Sequence, residues 1–286
     1  MTDTPRPSPP PQPPADPLLA ERDALIATAH ALADAARAAI LPYFRRPDLT
    51  AESKGSAGFD PVTAADRAAE AAMRAILAAR RPHDAILGEE MGHRPGTSGL
   101  TWVLDPIDGT RAFLSGTPSW GVLIGLSDAD GPRLGLIDQP WTGERFIGGP
   151  GLARLDSPHG TQALACRPPR PLSEAILFTT FPEIGTEDER AAFARVASSV
   201  RLTRYGLDCY AYALVAAGQI DLVIEAGLHP HDVAAPIAVI QAAGGVVTDW
   251  RGGPAHDTAA SGGRILAAAN PAIHAAALAR LAHRDP

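Results

Sequence analysis

The sequence predicts a layered protein in two halves, α+β followed by α/β. Two alanine-rich helical stretches come first, within residues 16–80. Short β-rich runs separated by turn residues then fill residues 85–149, the pattern of a mostly antiparallel sheet. From about residue 150 strands and helices alternate, so helix and sheet layers must stack on one another. A chain of 286 residues, 45% of them hydrophobic, suffices for one large domain or two intimate ones. The halves are drawn at 16–150 and 151–286, behind a proline-rich tail over 1–15.

The tail, within MTDTPRPSPPPQPPADP, lacks an apolar leader core, and its prolines oppose helix and sheet. It reads as a disordered or polyproline-II segment. Asp16-Pro17 has the form of an N-cap followed by proline at the first helical position, and the helix it opens runs to about Tyr43. Residues 46–60 read as a loop or weak hairpin. Thr63-Ala64-Ala65-Asp66 opens a second helix, to about Arg80, with capping-box spacing. Strands follow at 85–90, 101–105, 120–128, 133–140 and 144–149. In the second half strands are predicted at 175–180, 201–206, 221–227, 246–250 and 264–270. Helices are predicted there at 187–199, 209–220, 232–243 and 272–283.

A net charge of −7 and a pI near 5.7 argue against a general nucleic-acid binder. Two cysteines, Cys166 and Cys209, make neither a disulfide framework nor a cysteine zinc site, and point to a reducing, cytoplasmic setting. No apolar run approaches the ~18–20 residues of a membrane span.

Carboxylates gather at the ends of apolar segments. Glu89 and Glu90 end AILGEE, Asp105 and Asp108 follow TWVL, Asp232 opens a helix, and Asp60 and Asp66 flank the start of another. Each has a plainer reading: Asp66 as a capping-box residue, Asp232 as a first-turn acid favoured by the helix dipole, Glu89 or Glu90 as a solvated side chain. Asp105 is harder to dismiss, because a buried strand runs straight into it. Together these oxygen donors suit a hard cation, Mg²⁺ or Mn²⁺, rather than zinc. Gly109 would let backbone approach a phosphate and Thr110 adds a hydroxyl. The chemistry that fits is cation-assisted attack of water on phosphorus, in line with the leaving oxygen. Phosphoaspartyl enzymes want D-x-D-x-T, whereas this chain has D-x-x-D-G-T. Neither cysteine has arginine six positions on, and no P-loop or G-x-G-x-x-G is present.

Four motifs in order, D-P-V-T-A-A-D (60–66), G-E-E (88–90), W-V-L-D-P-I-D-G-T (102–110) and H-D-V-A-A-P-I-A-V-I-Q-A-A-G-G-V-V-T-D (231–249), resemble the inositol monophosphatase superfamily of Mg²⁺-dependent phosphatases. The resemblance covers nearly all of the chain after the tail. It implies a five-layered αβαβα sandwich, a homodimer, and two or three Mg²⁺ ions per site. Glu89, Asp105 and the carbonyl of Ile107 would hold the first ion. Asp105, Asp108 and Asp232 would hold a second, and Asp66 with Glu89 a weaker third. Asp66 or Thr110, with Glu89, would orient the attacking water, and the amides of Gly109 and Thr110 would grip phosphate.

D-G-T-R-A-F, G-x-x-x-W-G (116–121), I-D-Q-P (137–140) and R-Y-G-x-D-C-Y-A-Y (204–212) resemble the histidinol-phosphatase branch. The implied substrate, histidinol phosphate, carries an ammonium and an imidazole, which want a carboxylate outside the metal cluster. Asp208 and Glu225 are the candidates, with Asp208 also readable as an N-cap. Arg111 reads as an anion clamp or a surface arginine. Inositol-type members usually have tryptophan before the helix-opening aspartate, where this chain has His231. His229 and His231 are read as pocket wall, Lys54 as a loop lysine, and Pro236 as a possible kink. An inositol-1-phosphatase or broad phosphomonoesterase is the alternative enzyme. A non-enzymatic binding protein on the same fold is disfavoured, because all five metal carboxylates are present. Small-molecule phosphate esters are the expected partners, with no nucleic acid and no membrane.

Overall fold

Alanine-rich sequence builds the outer layer of the first half in the computed structural model, which describes residues 17–46, 52–53, 61–62 and 64–282. The tail, Asp16, Lys54, Asp60 and Thr63 lie outside the described residues. Helix α1 (Pro17–Ile40) buries Leu25, Ala29, Leu32, Ala33, Ala36 and Ile40, one stripe at helical spacing. A two-residue antiparallel pair, β1 (Glu52–Ser53) with β2 (Pro61–Val62), precedes α2 (Ala64–Arg80). Helix α2 buries Ala65, Ala69, Met73 and Leu77 at strict four-residue spacing, and its small residues let α1 lie close.

These helices cover one face of an eight-stranded sheet. Its strands are β3 (Ala85–Gly88), β4 (Gly92–Arg94), β5 (Thr101–Asp108), β6 (Gly121–Asp128), β7 (Gly131–Gln139), β8 (Glu144–Gly149), β9 (Leu152–Ser157) and β10 (Gly160–Ala163). Their order is β10-β9-β8-β7-β6-β5-β3-β4, with a short helix α3 (Thr110–Leu114) between β5 and β6. Only β3 and β5 run parallel; every other neighbouring pair is antiparallel. The predicted strand over 85–90 stops at Gly88, and Glu89 and Glu90 occupy the turn beyond it. The β9–β10 hairpin carries this sheet past residue 150; no apolar alternation announces it, because β10 is exposed along its whole length.

The second half follows with β11 (Ile176–Thr179), α4 (Glu187–Ala197), β12 (Leu202–Tyr205), α5 (Cys209–Ala216), β13 (Leu222–Glu225), α6 (Pro230–Ala242), β14 (Val246–Thr248), α7 (Thr258–Ser261), β15 (Ile265–Ala268) and α8 (Pro271–Ala282). Its five strands are ordered β12-β11-β13-β15-β14, parallel from β12 to β13 and antiparallel beyond.

Three apolar cores bind five layers. The first joins α1 and α2 to the large sheet, the second joins both sheets to α5 and α6, and the third joins the small sheet to α4 and α8. The layers are therefore αβαβα. Helix α6 lies close against β6, β7 and β8 because Gly125, Gly135 and Gly148 carry no side chain; a Cβ there would meet Ala234, Ala235 and Val239. Asp138, fully buried on β7, is bridged by Arg37 and Arg145, each at 2.7 Å, so this motif acidic residue ties α1 to the sheet.

Helix α6 begins two residues before Asp232, with proline at its first position, and continues through Pro236. Proline lacks the N–H that would bond the carbonyl four residues back, that of Asp232. No described helix is long and apolar enough to cross a membrane.

Candidate active site

A β-bulge creates the centre of the site. Asp105 pairs with Leu123 of β6, and Asp108 with Gly121, so three steps on β5 oppose two on β6. The extra residue falls at Pro106-Ile107. Residues three apart on a regular strand face opposite sides of a sheet. The bulge cancels that alternation, and carboxylate oxygens of Asp105, Asp108 and Asp232 lie within 4.8 Å of one another.

Burial pushes the Asp105 carboxyl well above the usual carboxylate range, and the charges of Glu89, Asp108, Asp232 and Asp66 push it further. Its Oδ1 is buried without a hydrogen-bond partner. Asp108 is raised in the same way, by burial and then by Asp208 and Asp232, although the Cys209 amide at the start of α5 donates to it at 2.6 Å. Asp232 accepts from the His229 amide at 2.6 Å, so it serves its helix start as well as the cluster.

Glu89 joins from the turn after β3, in a second group with Asp105 and His231 whose ligand atoms also lie within 4.8 Å of one another. His231 is thus not merely pocket wall: being second in α6 sends its ring in among the carboxylates. Glu90 belongs to neither group. Its amide, at 2.8 Å, and that of Met91, at 3.1 Å, donate to the carboxylate of Glu70. Glu70, fully buried one turn after Asp66 on α2, also accepts from Arg74 Nε at 2.7 Å. Arg74 in turn donates to the Gly92 carbonyl. A Cβ at Gly88 would collide with the Glu70 carboxylate. Helix α2 therefore clamps the turn that presents Glu89. Sequence reasoning missed Glu70; its signal is an acid lying between Ala69 and Met73 on the buried face of α2.

Gly109 follows β5 in a left-handed conformation (φ 83°), and the Thr110 hydroxyl donates to the Ile107 carbonyl at 3.1 Å. Asp208 presses on this loop from α5. It stands at the N-cap position but makes no side-chain cap bond, so capping does not explain it. Leu207 and Asp208 both have positive φ, 80° and 47°, a strained pair at the cleft wall. Burial pushes the Asp208 carboxyl up to about 6, while the Ser119 hydroxyl and Arg111 restrain it. Glu225 ends β13. It accepts from the Thr180 amide (2.9 Å), the Thr180 hydroxyl and the Tyr212 hydroxyl (2.7 Å), and burial raises its pKa too.

Asp108, Asp208, Glu225, Asp232, Phe181 and Leu228 are among the residues lining a cleft of about 300 Å³. The exposed Arg111 sits at its rim, its guanidinium 4.8 Å from the centre of the Phe181 ring.

Residues 21–285 match the inositol monophosphatase family. The chain belongs to that family. It is 42% identical over 269 residues to the bifunctional phosphatase IMPL2 of Arabidopsis thaliana, covering 91% of this chain and 76% of the relative. It is 36% identical over 253 residues to the histidinol-phosphatase of Streptomyces coelicolor, covering 83% and 92%. Among solved structures, an inositol monophosphatase from Zymomonas mobilis superposes with a TM-score of 0.80 at 39% identity, over 92% of this chain and 98% of that one. The inositol monophosphatase fold thus carries here a metal-dependent phosphomonoesterase. Its residues fit a multi-metal centre: two groups of donors share Asp105, whose Oδ1 is buried without a hydrogen-bond partner and so suits a cation.

Proposed function

We propose that this phosphatase hydrolyses L-histidinol phosphate to L-histidinol and phosphate, a step of histidine biosynthesis. The observation that carries the reading is the placement of Asp208 and Glu225 in the cleft shared with Asp108 and Asp232 but outside both donor groups. A substrate that brings its own positive charge would be met there. In this reading Glu89, Asp105 and the Ile107 carbonyl hold one divalent cation, Mg²⁺ or Mn²⁺. Asp105, Asp108 and Asp232 hold a second, and Asp66 with Glu89 a third. Bound cations would neutralise the phosphate oxygens, acidify the attacking water and offset charge on the leaving oxygen.

The chain's own groups do the rest. The Gly109 and Thr110 amides orient the phosphate. Thr110, whose hydroxyl is aimed by the Ile107 carbonyl, or Asp66, works with Glu89 to position the water and take its proton. Arg111 at the rim attracts the phosphate. Two free cysteines support a reducing, cytoplasmic setting, and a homodimer belongs to the same reading.

The second reading is an inositol-1-phosphatase or a broader phosphomonoesterase. The similar proteins divide between both names: the inositol-1-monophosphatase of Caulobacter vibrioides is 33% identical, and the Zymomonas structure is 39% identical. They support the broader activity further than either substrate.

The deciding measurement is kcat/KM on L-histidinol phosphate, inositol 1-phosphate and adenosine 3′,5′-bisphosphate with Mg²⁺. A clear preference for the first is expected, together with rescue of a histidine auxotroph lacking this step. If histidinol phosphate is the poorest of the three, the second reading takes its place.

A further inference from the structure

We propose that His231 is a metal ligand, and that it makes the Glu89–Asp105–His231 group selective for a first-row transition ion over Mg²⁺. The proposal rests on the reading of the site as a multi-metal phosphatase centre, but not on the choice of substrate.

Three observations place the imidazole there. One ring nitrogen lies within 4.8 Å of carboxylate oxygens from both Glu89 and Asp105. Asp105, 2% exposed and a member of the same group, has an oxygen buried without a hydrogen-bond partner. The His229 ring stacks on that of His231, centroids 5.4 Å apart and planes 22° apart, so residue 231 stands at the start of α6 beside a second imidazole. The nearest carboxylate on its own helix, Asp232 Oδ1, is 3.6 Å from Nε2, beyond a good hydrogen bond. The ring therefore stands among three acids drawn from the turn after β3, from β5 and from α6. Helix α6 imposes this position: two consecutive side chains at its start, His231 and Asp232, serve the two donor groups.

The chemistry follows from donor type. A nitrogen beside two carboxylates is a mixed N/O set, and imidazole ranks Mn²⁺, Co²⁺ and Zn²⁺ above Mg²⁺, which prefers oxygen alone. The neighbouring Asp105–Asp108–Asp232 group is all carboxylate and suits Mg²⁺. The tryptophan that the family resemblance leads one to expect before the aspartate has no lone pair to offer a cation. Selectivity of this kind is therefore a property of this chain's own residue 231.

The test uses the whole protein, stripped with a chelator, and no substrate. Binding of Co²⁺ and of Mg²⁺ is measured by calorimetry for wild type, His231→Gln, His231→Trp and His229→Gln. Wild type and His229→Gln are expected to bind one Co²⁺ at least about tenfold more tightly than either His231 variant. Mg²⁺ affinities should agree within about threefold. Wild-type protein loaded with Mn²⁺ should also show nitrogen modulation in its electron spin echo, a readout that needs no variant. No nitrogen coupling in wild type, or equal Co²⁺ affinity with and without the imidazole, overturns the assignment. A Mg²⁺ loss as large as the Co²⁺ loss overturns the selectivity. Whichever substrate proves best, these measurements keep their meaning.

Discussion

Asp208 and Gly109 touch so closely that each dictates the other: a Cβ on Gly109 would lie 2.8 Å from both Cγ and Oδ2 of Asp208. The loop after β5 and the start of α5, a hundred residues apart in sequence, thereby form one wall of the cleft. Gly109→Ala would meet this clash and a left-handed backbone together. A stability loss of about 1–3 kcal/mol is expected. Displacement of the loop by about an ångström should lower kcat/KM about 100-fold. Thermal melts and steady-state kinetics on any accepted phosphate ester check both. Unchanged kinetics in a folded variant would remove the loop from the phosphate site.

Asp208 itself sets a pH dependence. Its carboxyl titrates at about 6 in the folded protein, against 3.8 ordinarily, so the folded state binds more protons between those values. Its contribution to stability is therefore present at acid pH and lost as pH rises through about 6. The full effect is on the order of 3 kcal/mol. Asp208→Asn should flatten the stability profile between pH 4 and 7. If Asp208 meets a substrate cation, the same variant should raise KM for histidinol phosphate and leave inositol 1-phosphate nearly unaffected. Equal losses on both substrates would count against the charge-recognition reading.

Cation removal should act through the same linkage. Asp105 and Asp108 are both raised, so without cations their contribution favours folding at low pH and fades as they ionise against one another. A divalent cation at 100-fold its dissociation constant adds about 2.7 kcal/mol. For a chain of this size that is a rise in Tm of roughly 4–5 °C. Because cation and protons compete, the rise should be larger at pH 8 than at pH 5. Thermal melts with Mg²⁺ and with chelator at both pH values measure it. An equal rise at both would show that Mg²⁺ binds elsewhere.

Glu70 offers a test of positioning at a distance from substrate. Glu70→Ala strands two amides and the Arg74 guanidinium, and about 3–5 kcal/mol of stability should go with it. Glu70→Gln keeps an acceptor and should fold. With the Glu89 turn loosened, however, its Mg²⁺ affinity should fall about 10–100-fold. Calorimetric Mg²⁺ titration of the glutamine variant is the readout, and a wild-type dissociation constant would mean that Glu70 only supports the fold.

Much of the architecture was legible because its cause is local. Helix α2 follows from its capping-box spacing and β5 from an apolar run, whereas α6, drawn from Asp232, begins two residues earlier at Pro230. The β9–β10 hairpin was not, since its residues are polar and only pairing with β8 makes them strands. Helix α5 was drawn four residues too long, to 220, because Ala217 continues its apolar texture although the helix ends at Ala216.

The same division holds at the site. The sequence by itself determined that Asp66, Glu89, Asp105, Asp108 and Asp232 stand at the ends of apolar segments and at helix starts, a donor set whose type pointed to hard cations. Only the tertiary structure decided that Asp105 and Asp108 share one side of their sheet, because a bulge exists only against a partner strand. It also decided that Glu70 grips the turn of Glu89 and that His231 enters the cluster. Local pattern records what a residue can do. Its neighbours are settled by packing between segments far apart in the chain.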